Sequence, residues 1–450
     1  MKLNLTWKKL ETITEGKLTA KNPNAKFNSF ITHSKLVTKN SVFWCLKGDS
    51  YDAHRFLPEV IRKGAKGIVV KKGTLKKLKK APLYVLEVAD TLKALHALSL
   101  FRIKKSKMKI VAVTGSNGKT TTKEMLKLIF RERGKTFANA GNLNNQFGVP
   151  FSIMEIDTGS KYGIFELAAK KRGDIYEIGN LVKPDVAVIT NISPSHLEYF
   201  KNIGNIYRTK TEITKCIKKG GTLVYNADDT MLGKFKKSWK GKSITFGFSE
   251  DADIRVLREK DFVISYRGGE YKIPSKLQTH NRINAAGACG VAIAMGLDWK
   301  TITKGLKGFK SIPMRLEVIH KGKSTIIFDA YNANPKSTDI AIQTLSDMKT
   351  TKSKIAVLGD MKELGKFSKK YHLELGGKLI TADIDTIFMT GGQMYNAYKT
   401  CCKKMPKNKL IYSKTPSVWI KRLKDARKKG AVILFKASRS MGFENLLKKL

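Results

Sequence analysis

The sequence predicts an α/β protein of three domains: a small N-terminal α/β domain (1–90), a central doubly wound domain with a phosphate-binding loop (91–311) and a C-terminal Rossmann-like α/β domain (312–450). With 450 residues, the chain is long enough for several separate cores. Short apolar strands alternate with helical segments along most of it, which is typical of parallel sheets. A glycine-rich turn joins one strand to a helix, as in phosphate-binding sheets.

The first two predicted domains follow from the pattern between the N-terminus and Leu297. Residues 1–88 mix short strands and turns, in SVFWCLKGDSYDAHRF, GAKGIVVKK and PLYVLEV. The helix TLKALHALSLFRIKK comes next, with a leucine face. Buried strands are then predicted in KIVAVTG, YGIFELA, DVAVITNI and GTLVYNA, with helices such as TTKEMLKLIFRERG between them. This alternation favours a doubly wound parallel sheet, and HNRINAAGACGVAIAMGL predicts a buried helix after it.

A boundary to a third domain is predicted near the segment KGFKSIPMRLEV, where Gly308 and Pro313 interrupt the pattern. A second series of apolar strands begins there. These strands are predicted in STIIFDAYNANP, SKIAVLGDM, DTIFMTGG and AVILFKASRS. Their spacing again favours a parallel α/β sheet.

The net charge of +49 raises the question of a nucleic-acid partner. The chain has 71 lysines but only 15 arginines, and the lysines are spread along its whole length. Nucleic-acid sites cluster their charge and favour arginine as well as lysine. A lysine-rich composition is therefore the favoured explanation, and no nucleic-acid partner is expected. The charge would still attract anionic small substrates.

Cysteine use and hydropathy favour a cytoplasmic protein. The five cysteines show no CxxC spacing and no histidine partners at zinc-finger distance, which is typical of reduced thiols. The N-terminus has no apolar stretch of signal-peptide length. The longest apolar stretch, AAGACGVAIAMGL, has 13 residues and is too short to span a bilayer.

The stretch VAVTGSNGKTTTKEML has the strand, turn and helix of a phosphate-binding loop. It is shorter than G-x-x-x-x-G-K-[ST], because Val113 stands where the first glycine would be. Lys119 can reach terminal phosphates and the Thr120 hydroxyl suits Mg²⁺. An ordinary capped turn is the alternative, but TGSNGKTTT is more than a cap needs. The predicted nucleotide-binding residues of the loop are Gly115, Ser116, Asn117, Gly118, Lys119, Thr120 and Thr121.

Two further polar residues follow buried strands. Glu166 ends the strand YGIFE, and His196 follows DVAVITNI. Because strand ends converge on the ligand crevice of such a sheet, both are predicted to lie beside the loop and to bind metal. The alternative for each is a structural hydrogen bond.

The loop TGSNGKTTTKEML resembles the compact ATP loop of the Mur ligase family, which builds bacterial peptidoglycan. Further segments match family motifs in the same order, so the resemblance covers nearly the whole chain. These segments are NAGNLNNQFGVP, ELAAKKRGDI, VITNISPSHLEYF, THNRINAAGA, PMRLEV, DAYNANPKS, VLGDMKELG and KASRSMGFE. DAYNANPKS and VLGDMKELG are most similar to the members that add a D-alanyl-D-alanine dipeptide.

The resemblance implies a bacterial, cytoplasmic, ATP-dependent ligase that joins D-alanyl-D-alanine to UDP-N-acetylmuramoyl-tripeptide. A carboxylate is a poor electrophile, so ATP would convert it to an acyl phosphate, which the amine then attacks. The protein must hold two anionic substrates together, neutralise charge and exclude water. The implied cofactors are ATP and Mg²⁺, with two ions possible, and a monomer is expected.

The resemblance also assigns roles inside the ATP site. Lys210 aligns with a lysine that family members carry as a carbamate, which would bind a second Mg²⁺, and a plain surface lysine is the alternative. The implied metal ligands are Thr120, Glu166, His196 and Lys210. The implied catalytic residues are Lys119, Thr120, Glu166, His196, Lys210 and Arg315.

Three residues further along the chain are implied to contact the nucleotide. Asn284 is assigned to adenine, although His280-Asn281 could instead cap the helix. Arg315 is assigned to the phosphates and Asp329 to the ribose, with an interdomain salt bridge as the alternative.

The two remaining substrates are assigned a set of polar residues by the same resemblance, although NANP could also be a simple turn. Asn332, Asn334 and Ser337 suit a zwitterionic dipeptide, and Asp360 and Glu363 could meet its ammonium group. The full substrate set is Ser34, Lys47, Asn142, Asn144, Asn145, Tyr331, Asn332, Asn334, Ser337, Asp360, Glu363, Ser438 and Arg439.

The chain departs from the family pattern in places. His33-Ser34-Lys35 stands where Asp-Ser-Arg is usual, and Ala437 replaces a usual glycine before Ser-Arg. Neither change removes an implied catalytic group, so an active enzyme is expected. Two alternatives stay open: another ligase of the family, such as the one that adds the third residue or a folate polyglutamate ligase, and a basic ATP-binding protein that binds nucleic acid without ligation.

Overall fold

The computed structural model describes residues 4–48, 51–78, 81–157, 159–235, 239–257, 261–274 and 277–450. The helices are α1 (Trp7–Thr14), α2 (Leu57–Arg62), α3 (Thr91–Ser106), α4 (Lys119–Arg131), α5 (Gly148–Met154), α6 (Asp174–Val182), α7 (Leu197–Phe200), α8 (Ile203–Thr211), α9 (Thr230–Phe235), α10 (Thr279–Ala294), α11 (Trp299–Lys307), α12 (Pro335–Ser346), α13 (Ser368–Thr381), α14 (Met394–Cys401), α15 (Ile420–Lys428) and α16 (Phe443–Lys448).

The strands form four sheets. They are β1 (Leu5–Thr6), β2 (Lys17–Ala20), β3 (Lys26–Phe27), β4 (Val42–Trp44), β5 (Gly67–Lys71), β6 (Tyr84–Val88), β7 (Lys109–Thr114), β8 (Thr136–Ala138), β9 (Tyr162–Glu166), β10 (Val186–Ile189), β11 (Thr222–Asn226), β12 (Lys242–Gly247), β13 (Ile254–Val256), β14 (Val263–Tyr266), β15 (Gly269–Lys272), β16 (Glu317–Lys321), β17 (Ser324–Asp329), β18 (Lys354–Gly359), β19 (Thr386–Thr390), β20 (Leu410–Tyr412) and β21 (Val432–Lys436).

The N-terminal region holds a sheet of order β2-β6-β5-β4 beside a short β1–β3 ladder. Strands β4, β5 and β6 are parallel, and β2 joins the edge in the antiparallel direction. Trp44 is fully buried at the end of β4, and its indole N–H donates to the carbonyl of Thr91 at 2.9 Å. This bond fastens the small sheet to the start of α3.

The central sheet has nine strands in the order β15-β14-β13-β12-β11-β10-β7-β9-β8. From β8 to β13 all neighbours are parallel, and β7 lies between β10 and β9. Helix α10 packs closely over one face because it is rich in small residues. Gly287 lies against the ring of Phe246, and Gly290 against Val224. The carboxyl ends of β7, β9 and β10 are adjacent, which brings the residues that follow these strands to one place.

The C-terminal sheet has the order β16-β17-β21-β18-β19-β20 and is parallel except at the β16–β17 edge. Its strands β17, β18, β19 and β21 are nearly all buried, so they read as continuous apolar segments. Among the described helices, none combines the length and the apolar character needed to cross a bilayer.

The predicted fold class is confirmed, and each strand predicted in the central and C-terminal sheets is present. The parallel strands β8, β12 and β20 were not predicted. The antiparallel extension β13–β15 was not predicted. A signal for it exists: VISY and GEYK flank Arg267-Gly268, which both have positive φ, as a two-residue hairpin turn requires. The short strands and the lysine-rich composition around them hid this pattern.

Candidate functional site

The loop between β7 and α4 needs glycine at two positions for reasons of space. Gly115 has φ 141° and Gly118 has φ 81°, in the region that disfavours other residues. A Cβ atom on Gly115 would collide with the Thr190 hydroxyl, and one on Gly118 would collide with the Asn284 amide oxygen. The missing glycine at Val113 matters little, since Val113 lies inside β7 and is fully buried.

The loop is held by the segment after β10. The Ser116 hydroxyl donates to the Ser193 carbonyl at 2.9 Å and accepts from the Ser193 N–H at 3.0 Å. The backbone N–H of Asn117 donates to the Asn191 side chain at 3.1 Å. The loop therefore has a fixed shape before any ligand arrives, as a preorganised phosphate cradle requires.

Lys119 begins α4 and folds back over the loop. Its ammonium donates to the carbonyls of Gly115 at 2.8 Å and Ser116 at 3.1 Å. Burial lowers the pKa of Lys119 to about 8, an effect that Glu166 opposes and Arg315 strengthens. The ammonium group therefore lies beside the loop, where a phosphate, which is more strongly negative than a carbonyl, could replace the two carbonyls as its hydrogen-bond partner.

Thr120 and Glu166 are in direct contact. The Thr120 hydroxyl donates to one carboxylate oxygen of Glu166 at 2.8 Å, and the Asn144 side chain donates to the other oxygen at 2.8 Å. Glu166 is 2 % exposed. The predicted meeting of the loop with the end of β9 is therefore present, and Asn144 joins the same cluster.

His196 lies at the start of α7 with φ 50°, a strained value for a residue other than glycine. Its Nδ1 lies 2.6 Å from a carboxylate oxygen of Glu363. The pairing with His196 lowers the pKa of Glu363. His196, which was assigned to the metal, and Glu363, which was assigned to the dipeptide, are thus neighbours although they belong to different domains.

Lys210 lies on α8 and is buried, with 2 % of its surface exposed. Burial, together with the nearby charge of Lys119, lowers its pKa to about 7, while Asp174, Glu166 and Glu212 oppose the shift. Its ammonium lies 5.9 Å from the centre of the Phe200 ring. The interpretation as an ordinary surface lysine is therefore wrong, because this side chain is enclosed beside Lys119 and Glu166.

The donor set of the cluster suits a hard cation. Among the described ranges, no group of three or more His, Cys, Asp and Glu side chains could by itself hold a metal ion. Mg²⁺ needs fewer protein ligands, because it usually keeps several waters and binds through one or two carboxylates and substrate phosphates. The Glu166 carboxylate and the Thr120 hydroxyl are oxygen donors of that kind, so the residues fit Mg²⁺.

Arg315 and Asn334 bring the C-terminal domain to the loop. The guanidinium of Arg315 stacks over the Tyr331 ring, 4.1 Å from its centre. The Asn334 side chain donates to the Asn117 side chain at 2.7 Å, and the backbone N–H of Glu198 donates to the carbonyl of Glu363 at 3.0 Å. These two hydrogen bonds, Asn117–Asn334 and Glu198–Glu363, are called the interdomain seam below.

Several residues assigned to the dipeptide also hold the local structure. Asn334 caps α12, and its side chain and that of Ser337 exchange bonds with each other's backbone in a capping box. NANP is therefore not the simple turn of the alternative interpretation: it leads into α12, and Asn334 is the N-cap of that helix. Asn332 bonds the N–H of Ala333 at 2.8 Å.

Asp360 is almost fully buried, at 1 % exposure, and its carboxylate is fully engaged. One oxygen accepts from the N–H groups of Gln393 and Met394, at 3.1 and 2.8 Å, at the start of α14. The other oxygen accepts from Lys362 at 2.9 Å. The Ser438 hydroxyl accepts from the N–H of Lys362 at 2.8 Å. This group therefore shapes the loop after β18.

Asp329 forms a buried ion pair with Lys436, whose ammonium lies 2.7 Å from its carboxylate. Lys436 also donates to the carbonyl of Asn332 at 2.8 Å, and burial lowers its pKa. Sequence reasoning missed Lys436. The signal was a lysine at the end of the apolar strand AVILFK, which is as unusual there as Glu166 is at the end of YGIFE.

Asn284 lies on α10, and its amide oxygen is so close to Gly118 that a Cβ atom at that glycine would collide with it. Asn284 therefore adjoins the loop. The idea that His280-Asn281 caps this helix is wrong, because the helix begins at Thr279 and Gln278 is the capping position. His280 lies close enough to Asp329 to interact with its carboxylate. Burial lowers its pKa to about 4, although Asp329 opposes the shift.

The remaining assigned residues lie in several parts of the fold. Ser34 is buried, and its carbonyl accepts from the Lys63 side chain at 3.1 Å. Lys47 is exposed in a turn that faces Phe147 through Gly48. Asn145 caps the start of α5, and Asn142 and Arg439 are exposed. Thr121 is buried in the first turn of α4.

The fold and this cluster define an ATP-type phosphate-binding protein with a central sheet between two smaller α/β regions. Residues 113–292 match the Mur ligase middle domain, and residues 314–439 match the Mur ligase, glutamate ligase domain. The chain belongs to the Mur ligase family.

Relatives and solved structures agree on the branch of the family. UDP-N-acetylmuramoyl-tripeptide–D-alanyl-D-alanine ligase from Bacillus subtilis (strain 168) is 30% identical over 93% of this chain and 92% of its own length. The crystal structure of MurF from Acinetobacter baumannii has 30% identity and a TM-score of 0.90, covering 99% of this chain and 98% of that one. MurF ligase from Thermotoga maritima in complex with ADP has 30% identity, with a TM-score of 0.81, covering 93% and 96%.

Proposed function

We propose that this protein is an ATP-dependent ligase that joins D-alanyl-D-alanine to UDP-N-acetylmuramoyl-tripeptide in peptidoglycan precursor synthesis. It would act as a monomer in the bacterial cytoplasm, with domains at 1–90, 91–311 and 312–450. Relatives that match nearly the full length of the chain carry this function in their names. One of the similar solved structures contains ADP.

One structural observation carries the proposal. The phosphate loop, the Glu166 carboxylate and the C-terminal segment around Asn334 meet at one point, through bonds of 2.8 Å at Thr120 and 2.7 Å at Asn117. A plain ATPase needs only the first two. The additional contact brings a second domain to the place where a phosphorylated substrate would form, as a ligation between two substrates requires.

The proposed chemistry has two steps. A carboxylate oxygen of the tripeptide attacks the γ-phosphorus of ATP, and ADP leaves, so that an acyl phosphate forms. The amino nitrogen of D-alanyl-D-alanine then attacks the acyl carbon. The carbon–oxygen bond to phosphate breaks, inorganic phosphate leaves and the nitrogen loses a proton. Both steps gather negative charge in one place, so preorganised cations and N–H groups lower the barrier.

The residues of the loop and its neighbours divide this work. Loop N–H groups and Lys119 would bind the phosphates, and Arg315 would add a second positive charge from the C-terminal domain. Thr120, Glu166 and His196 would hold Mg²⁺, which neutralises phosphate charge when bound. Asn284 and Asp329 would bind adenine and ribose. The polar residues between Tyr331 and Ser337, together with Asp360, Glu363, Ser438 and Arg439, would form the dipeptide side.

Lys210 is proposed to be carbamylated. A lysine with a pKa of about 7 is about half neutral at pH 7 and mostly neutral above it, and a neutral amine is the form that reacts with CO₂. The product is an anion, which would suit a second Mg²⁺ beside Glu166 and would also attract Lys119. Mass spectrometry of the native protein at raised bicarbonate would test this, with Lys210→Arg as the unreactive control.

Phosphate release tests the function as a whole. Purified protein is given ATP, Mg²⁺ and UDP-N-acetylmuramoyl-tripeptide, and phosphate is measured with and without D-alanyl-D-alanine. Release that requires the dipeptide supports the proposal. If phosphate is released instead with UDP-N-acetylmuramoyl-dipeptide and a single amino acid, the protein is another Mur-type ligase. ATP hydrolysis that is stimulated only by RNA or DNA would refute ligation.

A further inference from the structure

Asn139 directly follows β8 and is 1 % exposed. Its side-chain amide pairs with the backbone of Glu166 on both sides. The amide oxygen accepts from the Glu166 N–H at 2.8 Å, and the amide nitrogen donates to the Glu166 carbonyl at 3.0 Å. One side chain therefore satisfies both polar backbone groups of the residue that carries the predicted metal-binding carboxylate.

This pairing continues a strand ladder that has ended. The regular β8–β9 register stops at Ala138 opposite Ile164, and the Asn139 N–H donates once more, to the Ile164 carbonyl at 3.3 Å. On the other side of β9, the Leu167 N–H donates to Val113 at 2.8 Å. The backbone around Glu166 is thus hydrogen-bonded on both sides. On one side the partner is strand β7, and on the other it is Asn139, which lies just beyond the end of β8.

Asn139 also fixes the loop that carries Asn144. The same amide nitrogen donates to the Leu143 carbonyl at 2.7 Å. Asn144, the next residue, donates to the Glu166 carboxylate at 2.8 Å, and its carbonyl accepts from the Ala168 N–H at 2.7 Å. One side chain therefore holds the backbone of Glu166 and the loop that orients its carboxylate.

Lys123 connects this arrangement to the phosphate loop. It lies one helical turn after Lys119 on α4, is 1 % exposed, and donates to the Asn139 carbonyl at 2.7 Å. Its other partner is Glu124 at 3.1 Å. Burying an ammonium group costs free energy unless the group is paired. If this position served only packing, an apolar side chain would fill it at a lower free-energy cost. The helix that carries Thr120 is therefore bonded to the residue that positions Glu166.

We propose that Asn139 and Lys123 are positioning residues for the magnesium site: they hold the Glu166 carboxylate against the Thr120 hydroxyl, in the geometry that binds the Mg²⁺ of the nucleotide. This inference rests on the proposed function, because it concerns the same site. Neither residue touches the reacting groups. Each acts through the backbone of a neighbour, in the way that outer partners orient metal ligands.

The test compares Asn139→Ala, Asn139→Asp and Lys123→Met with the wild-type chain. The first readout is calorimetric binding of ADP with and without Mg²⁺, and the second is the Mg²⁺ concentration that gives half-maximal ligation. We expect Asn139→Ala to weaken the Mg²⁺-dependent part of ADP binding about tenfold or more, and to raise the half-maximal Mg²⁺ concentration similarly. Binding of ADP without Mg²⁺ and the KM for D-alanyl-D-alanine should stay unchanged.

The two further variants separate positioning from folding. Asn139→Asp keeps the oxygen that accepts from Glu166 but loses both donors, so it should resemble the alanine variant. Lys123→Met should show a smaller loss in the same direction, and Lys123→Arg should recover part of it. Lys354→Met is the matched control, because Lys354 is also buried and bonded to a backbone carbonyl, but lies on β18.

The outcomes are distinct. Wild-type Mg²⁺ dependence in the folded Asn139 and Lys123 variants overturns the inference. An equal loss of Mg²⁺ dependence in Lys354→Met also overturns it, because the effect would then be general. If the wild-type protein itself binds ADP without any effect of Mg²⁺, the magnesium part of the proposed function fails instead. If Asn139→Ala does not fold, Lys123→Met against Lys123→Arg decides the question.

Discussion

The two sides of the cleft use their polar residues differently. On the central side, the residues of the loop and the strand ends make few bonds beyond their own cluster, and Lys119 and Lys210 hold lowered pKa values near 8 and 7. On the C-terminal side, Asp329, Asp360 and Asn334 are each bound to a lysine, a helix start or a capping partner. Polar groups on the central side are thus bonded mainly to one another around the phosphate loop, whereas those on the C-terminal side hold a strand end, a loop or a helix start of their own domain.

The contrast predicts that variants on the central side lose activity and keep stability. Variants on the C-terminal side should lose stability first, because their side chains complete the local structure. The following experiments test this separation, beginning with the largest expected effect.

Replacement of Lys119 by alanine should reduce ligation by at least about a hundredfold, because one preorganised charge contact to the transferring phosphate is lost. The melting temperature should stay within a few degrees of wild type, since Lys119 hydrogen-bonds to two backbone carbonyls and the nearby Glu166 carboxylate keeps its bonds to Thr120 and Asn144. Phosphate release and thermal unfolding measure the two effects. Lys127→Ala on the same helix is the control, and near-normal turnover in a folded Lys119→Ala protein would contradict the phosphate assignment.

Replacement of Lys436 by methionine should destabilise the C-terminal sheet by about 3–5 kcal/mol, because the buried Asp329 carboxylate is left unpaired. Chemical unfolding followed by tryptophan fluorescence measures this loss. The double variant Asp329→Asn/Lys436→Met should recover much of the stability, and exposed Lys352→Met should have little effect. A stable single variant would show that the pair does not support the fold.

Replacement of Asn334 by alanine should cost about 1 kcal/mol through loss of the α12 cap. Asn334→Asp should restore that stability, since aspartate caps helices equally well. It cannot donate to Asn117, however, so any effect on nucleotide binding should remain. Thermal unfolding and ADP calorimetry of both variants measure the two roles. Equal nucleotide binding by the alanine variant and wild type would show that the contact with Asn117 carries no binding role.

The smallest expected effect concerns pH. His280 has a folded pKa of about 4, below its ordinary value of about 6.5, so the unfolded chain binds more protons between these values. Stability should therefore fall as the pH drops from about 6.5 to about 4. The His280→Gln variant should lose less stability than wild type over that pH window, and its stability should change with pH as in wild type above it. Melting temperatures at a series of pH values measure this, and identical curves would show that His280 does not contribute.

The same contrast explains what the sequence could predict. Lys119, Thr120 and Glu166 stand in short motifs at the ends of apolar strands, and strand ends of a parallel sheet converge, so their contact follows from the pattern. The hairpin β14–β15 carried a turn signal but had short strands. Lys436 and Asn139 act through partners far away in the chain, such as Asp329 and Glu166, and no local spacing reveals such a pair.

The structure also shows a limit of assignment by motif. Asp360 and Asn334 stand in motifs that indicate a substrate site, yet most of their bonding capacity is used inside the C-terminal domain. A motif identifies residues that a site requires. It does not distinguish a side chain that touches the substrate from one that shapes the loop around it.

The interdomain seam determines how the cleft can open. The Asn117–Asn334 and Glu198–Glu363 bonds join the same two bodies, so a rigid rotation of the C-terminal domain breaks both in one motion. Each such bond contributes about 0.5–1.5 kcal/mol, an amount that thermal fluctuation overcomes easily. Domain rotations of this kind take microseconds to milliseconds. A rotation that breaks the seam would open the cleft for product release and leave the α12 capping box and the Ser116–Ser193 bonds of the phosphate loop intact, because neither depends on the seam.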